Sequence, residues 1–163
     1  MDDLAIISRV LEEHRAIKGH IKLVGDSISD QEALASLTQA RADWIPGQQE
    51  ILAEKQKKLQ RALSFLYEGL KKHFSFEEEL LPPLLGELLM RALILKHMEI
   101  IKQISEVKPI VADIKLEGLS RDELLSEESF IQRAINKTCQ LVEYHTEEEE
   151  VILEMVERAL REK

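Results

Sequence analysis

"HFSFEEELLPPLL" (residues 73–85) sets a histidine and three consecutive glutamates on a stretch otherwise rich in leucine and phenylalanine, where a helix buries its apolar face. "HTEEEEVILEMVE" (residues 145–157) aligns with it without a gap, bringing His73 over His145, Glu77 over Glu149, Glu78 over Glu150 and Leu81 over Leu153. One device is therefore written twice in the same chain.

The first segment closes a helix that starts after "WIPGQQ", where Pro46 suits a first turn, and that Pro82 and Pro83 stop at about Leu81. The second lies in a helix expected from about Ser126 to Arg161. Upstream, Asp2 or Asp3 opens a helix reaching about Val24, with Gly25 and "GDSISD" expected to end it. A short extra helix, Gln31 to about Asp43, is predicted between this first long helix and the second. A third long helix is expected from near Leu84 to about Val107, with Pro109 breaking or kinking it, followed by a loop around Gly118. Four long helices with alternating connections make an antiparallel up-down-up-down four-helix bundle. Aromatic residues are only 4% of the chain, and Gly and Pro number six and four, too few for a sheet protein, so the fold class is all-α.

At 163 residues the chain is one domain in length and can bury a real core, so residues 1–163 are read as a single domain. A net charge of -9 argues against a nucleic-acid surface, and the Lys-rich "EKQKKLQR" reads as a solvated helix face. One cysteine, Cys139, excludes an internal disulfide and any Cys-based zinc or iron–sulfur site, which makes a reducing cytoplasm the default. No basic leader precedes an apolar run, and no stretch approaches the roughly 18 apolar residues of a membrane span. A soluble cytoplasmic protein without membrane attachment is expected.

Helical phase then places the histidines. At about 100° per residue, Leu4, Ile7, Val10, Leu11, Ile17, Ile21 and Val24 all fall within about 80° of His14. His14 thus sits at the centre of an apolar stripe, while His20, about 120° away, falls on the polar flank. His73 is surrounded in the same way by leucines of the second helix, His97 by Met90, Leu93, Ile94, Ile100 and Ile104, and His145 by Ile131, Leu141, Val142 and Ile152. Glu77 and Glu149, four residues after a core histidine, join the stripe, whereas Glu78 and Glu150, about 140° round, are expected to be solvated. A single histidine on an apolar face is usually a hydrogen-bonded core residue. Four such histidines with two inward carboxylates are different, because each buried polar group costs several kcal/mol unless partnered and a shared cation partners all six. The candidate metal ligands are His14, His73, Glu77, His97, His145 and Glu149. Nitrogen and carboxylate oxygen without sulfur suit iron, manganese or zinc. The Glu-x-x-His pattern of ferritin-like proteins is absent, since Leu70, Ile94 and Val142 stand three before His73, His97 and His145.

A lone histidine on the first helix (His14), H-x-x-x-E on the second (His73, Glu77) followed by "ELLPPL", a histidine on the third (His97) and H-x-x-x-E on the fourth (His145, Glu149) closely resemble the hemerythrin-like, or HHE cation-binding, domains. The resemblance spans nearly the whole chain. It implies an antiparallel four-helix bundle around two iron ions, bridged by the two carboxylates and an oxo or hydroxo group, with zinc or manganese ranking behind iron. Family members bind dioxygen, sense oxygen or redox state, handle iron, or respond to nitric oxide. Oxygen carriers of the family have two histidines one turn apart on the third helix; here Leu93 and Ile101 flank His97 at those spacings.

Two function classes follow. One is a di-iron protein that takes a small gaseous ligand, dioxygen or nitric oxide, in sensing, storage, iron handling or stress protection. The other is a structural bundle whose His/Glu cluster holds zinc or another metal without a redox role. No further acid, base or nucleophile falls on a core stripe, so binding is favoured over enzymatic turnover. A homodimer is compatible with the sequence.

Overall fold

The computed structural model describes residues 2–40, 48–113 and 121–162. Five helices make up the described chain: α1 (Asp3–Ala40), α2 (Gln48–Leu80), α3 (Pro82–Leu85), α4 (Glu87–Asp113) and α5 (Arg121–Arg161). There is no strand among the described residues. The four long helices form the bundle, with α1 and α4 each packed against both α2 and α5.

Apolar periodicity builds this arrangement. On α4, Met90, Leu93, His97, Ile100, Ile104, Val107 and Val111 recur at spacings of three and four and are all buried. On α2 the same spacing buries Leu59, Leu63, Leu66 and Leu70, each contributing about 1.5–3 kcal/mol by leaving water. Asp2 starts α1, its Oδ1 accepting the Ala5 amide at 2.7 Å. The Pro82–Pro83 pair ends α2 and opens the single turn of α3, which Gly86 closes at φ 85°, a backbone angle that a side chain resists.

The expected bundle with one extra short helix is present, but the short helix is α3, at the Pro82 corner. Two interruptions expected from the sequence are absent. The helix does not stop at Gly25: α1 runs on to Ala40. A glycine inside a helix costs only about 1 kcal/mol, and Ile17, Ile21 and Val24 are locked in the core just before it. Nor does α4 stop at Pro109; it reaches Asp113, with Val107 and Val111 buried and the Val111 carbonyl accepting Gln56 Nε2 at 2.6 Å and Gln60 Nε2 at 3.4 Å. Burial of Val107 and Val111 offsets the hydrogen bond that the proline removes, and the two glutamines cap a carbonyl of the last helical turn. The expected turn at Trp44 and Pro46 and the loop at Gly118 lie outside the described residues.

The core is in two parts. One apolar cluster fills the long end, with Ile17, Leu70, Phe74, Ile100 and Val142 at its edge, and a smaller one fills the end near α3, with Val10, Leu81, Leu93 and Leu153. The polar layer lies between them.

Candidate metal centre

The six residues singled out from the sequence meet in this layer. His14 comes from α1, His73 and Glu77 from α2, His97 from α4, and His145 and Glu149 from α5. All six are buried, Glu77 completely so. Their ligating atoms form two groups, His14–His73–Glu77–Glu149 and Glu77–His97–His145–Glu149, each with its atoms within 4.8 Å of one another. The two glutamates belong to both. His20 is exposed and apart from the cluster.

Each imidazole turns Nε2 toward the shared carboxylates. His14 Nε2 lies 3.2 Å from Glu77 Oε1 and His97 Nε2 lies 3.1 Å from Glu77 Oε2. His73 Nε2 also contacts Glu77, and His145 Nε2 contacts Glu149, each across one helical turn. The ring pairs are spaced alike, with centroids 4.8 Å apart for His14–His73 and 4.8 Å for His97–His145.

This crowding perturbs the ionisable groups. Burial alone would lower the pKa of His97, but the carboxylates of Glu149 and Glu77 beside its Nε2 outweigh it and raise the imidazole to about 10. Burial would lower His73 too, but Glu77, with Glu149 and Glu13 adding to it, outweighs burial and raises it. Burial would push Glu77 up, yet hydrogen bonds from His14, His73 and His97 hold it well below the usual carboxylate range. Without a metal, therefore, the raised His73 and His97 favour keeping a proton beside the shared carboxylates of the layer.

Protons do not satisfy it. Among the described residues, eight buried side-chain atoms lack a hydrogen bond of acceptable geometry: His14 Nδ1, His73 Nε2, Glu77 Oε2, His97 Nε2, both ring nitrogens of His145 and both oxygens of Glu149. All eight belong to the six clustered residues. Six of the eight face the shared interior, the Nδ1 atoms of His14 and His145 being on the outer side of their rings, and such orphaned groups, at about 1–3 kcal/mol each when unmet, are what a pair of cations relieves. The donors are nitrogen and oxygen only, for Cys139 is not in the cluster and burial and the Glu143 charge push its thiol up to about 11. The residues present therefore fit two metal ions that prefer imidazole and carboxylate.

The outer faces of the histidines correct one expectation. Glu78 and Glu150 are not simply solvated. His97 Nδ1 donates to Glu78 Oε1 at 3.0 Å, His73 Nδ1 donates to Glu13 Oε1 at 3.4 Å, and Glu150 Oε1 stands 3.7 Å from His14 Nδ1 while accepting Lys18 Nζ at 2.8 Å. These glutamates are about a quarter to a third exposed, their side chains long enough to lean across a seam onto the neighbouring helix. An ionised carboxylate can only accept, so in His73 and His97 it fixes the proton on Nδ1 and frees Nε2 for the interior. Sequence reasoning also passed over Phe74, whose ring stacks on His97 at 3.9 Å and 5° and meets His145 edge-on at 5.7 Å. The only signal for the outer glutamates was their position beside a ligand in the chain, and for Phe74 likewise its place next to His73.

No described helix is long and apolar enough to cross a membrane. The family profile of the hemerythrin HHE cation-binding domain matches residues 5–156 of the chain. Neither a curated protein nor a solved structure matches it.

Proposed function

The chain belongs to the hemerythrin HHE cation-binding domain family, and from that premise we propose that it holds two iron ions and binds or reacts with a small gaseous ligand, dioxygen or nitric oxide. The observation that carries this reading is the pair of four-residue groups sharing Glu77 and Glu149. Each position offers two imidazoles and an oxygen from each of two carboxylates. That is about four of the roughly six positions iron favours, so room remains for a ligand, whereas structural metal sites are closed by protein. A di-iron pair supplies reversible binding or electron transfer to such a ligand.

The chain's own residues shape what reaches it. Val10, Leu81, Leu93 and Leu153 wall one side of the layer, and Ile17, Leu70, Phe74, Ile100 and Val142 wall the other. Apolar walls admit a small uncharged gas and disfavour hydrated anions. The protein's role in the cell is on this reading sensing, storage, iron handling or stress protection.

The test is to load stripped protein anaerobically with ferrous iron, measure iron per chain, and then add dioxygen and nitric oxide in separate experiments while recording the optical spectrum. Two irons per chain and a spectral change with either gas are expected. A colourless protein that retains zinc in preference to iron, or an iron protein silent to both gases, would establish the structural alternative.

A further inference from the structure

The doubling seen in the sequence is also a doubling in space. Pairing α1 with α4 and α2 with α5 matches His14 with His97, His73 with His145 and Glu77 with Glu149, and the two histidine pairs have equal centroid spacing. The outer carboxylates obey the same correspondence. Glu78, just after Glu77, reaches His97 on α4, and Glu150, just after Glu149, lies beside His14 on α1. A third contact breaks it. Glu13, just before His14, takes the Nδ1 proton of His73 on α2. Its counterpart, just before His97, is Lys96, whose ammonium bonds Glu99 at 3.4 Å on its own helix. His145 Nδ1 is accordingly buried with neither a hydrogen bond nor an ion pair among the described residues, whereas His14 Nδ1, also without a hydrogen bond, has Glu150 Oε1 at 3.7 Å.

From this we propose that the two metal positions are unequal: the one built on His14 and His73 has an outer carboxylate beside each imidazole, Glu13 hydrogen-bonded to His73 Nδ1 and Glu150 3.7 Å from His14 Nδ1, while the one built on His97 and His145 has one beside His97 alone, Lys96 standing where the other would be, and releases its metal first. The inference rests on the reading of the layer as a two-metal site. Its physical basis is general. A carboxylate on the far nitrogen of a ligating imidazole fixes ring plane and tautomer and raises basicity, and losing it costs about 10–100-fold in metal affinity. A cation in the same place gives none of this. Phe74 stacking on His97 holds that ring's plane but leaves the Nδ1 atom of His145 unmet. Glu13 is thus a positioning residue for the first metal, and Lys96 marks the place of the missing one.

The experiment is an equilibrium titration with Co2+, whose absorption reports coordination, against a competing chelator. The native chain should take up two Co2+ in two resolved steps. His145→Gln should abolish the weaker step and keep the stronger; His14→Gln should do the reverse. Lys96→Glu should tighten the weaker step about 10–100-fold, whereas Lys96→Met, which removes the cation without adding a carboxylate, should recover only a minor part. Glu13→Gln should weaken the stronger step. Two equal steps in the native chain, or a weaker step unmoved by Lys96→Glu, overturns the inference while leaving the two-metal reading intact. A native chain that takes up no Co2+ overturns that reading itself.

Discussion

Metal and proton compete for the same nitrogens, and the competition can be put in numbers. His97 carries a proton in the metal-free layer because the carboxylates of Glu149 and Glu77 raise it, against the effect of burial, to about 10. A metal takes the imidazole only in its neutral form. At pH 7 the proton to be displaced sits three units below that pKa, which at about 1.36 kcal/mol per unit sets a cost of about 4 kcal/mol, or about a thousandfold in apparent affinity. Adding Co2+ to stripped protein in weak buffer at pH 7 should therefore release at least about one proton per chain, with the raised His73 adding to the count. The apparent dissociation constant of the metal held by His97 should fall about tenfold per pH unit between pH 7 and 9. The stability of the metal-free protein carries the matching sign. A histidine raised from 6.5 to about 10 contributes stability that is complete below 6.5 and is lost as pH climbs through about 10. Glu77, held low, contributes stability that is lost as pH falls below the ordinary carboxylate range. Urea unfolding of stripped protein should thus weaken from pH 7 to 9.5, while the metal-loaded protein should not share that loss. No proton release on loading, together with an affinity flat from pH 7 to 9, would refute the reasoning.

Substituting His14 by Ala should remove metal from the chain, and His20→Ala should leave metal content at the native value, since only His14 is buried in the layer; metal analysis of the two variants decides this. Glu77→Gln and Glu149→Gln should weaken both metals together, measured as metal retained after chelator dialysis, because each carboxylate serves both positions. Stripped protein should melt lower than loaded protein by about 5 °C or more, as even two unmet buried groups at about 1–3 kcal/mol each shift a domain this size by about 2–4 °C per kcal/mol; calorimetry of the two forms is the check. Phe74→Ala should cost about 3–5 kcal/mol in urea unfolding and also lower metal affinity, because the lost ring packs on His97 and His145.

How much of this was legible in the sequence depends on what a helical wheel can report. It gives direction within one helix, and that sufficed for His14, His73, His97 and His145, each at the centre of a stripe, and for Glu77 and Glu149 one turn on. It says nothing of what a neighbouring helix presents. Glu78 and Glu150 point outward by phase, yet each is drawn to the far nitrogen of an imidazole on the next helix, and Glu13 behaves in the same way. Gly25 and Pro109 mislead for the opposite reason. Their local cost, about 1 kcal/mol for the glycine and about 3 kcal/mol for the proline, is offset by the burial of Val24, Val107 and Val111 at about 1.5–3 kcal/mol each, so tertiary packing overrides the punctuation. The Pro82–Pro83 stop was legible because two prolines in succession leave no route for the helix to continue.

The polar layer between two apolar clusters also governs how the four helices slide past one another. Leucine and isoleucine seams are forgiving of axial displacement, since one aliphatic side chain substitutes for another a turn away. A layer in which each of four helices delivers a histidine at one height is not. Moving any helix by one turn, about 5.4 Å, would withdraw its imidazole and put a leucine, valine or isoleucine opposite two carboxylates. His14, for instance, is flanked at such spacings by Val10 and Ile17, and His97 by Leu93 and Ile100. The cluster thus acts as a registration pin for a bundle whose greasy surfaces alone would tolerate several alignments, in the way a single buried polar position sets the stagger of a coiled coil.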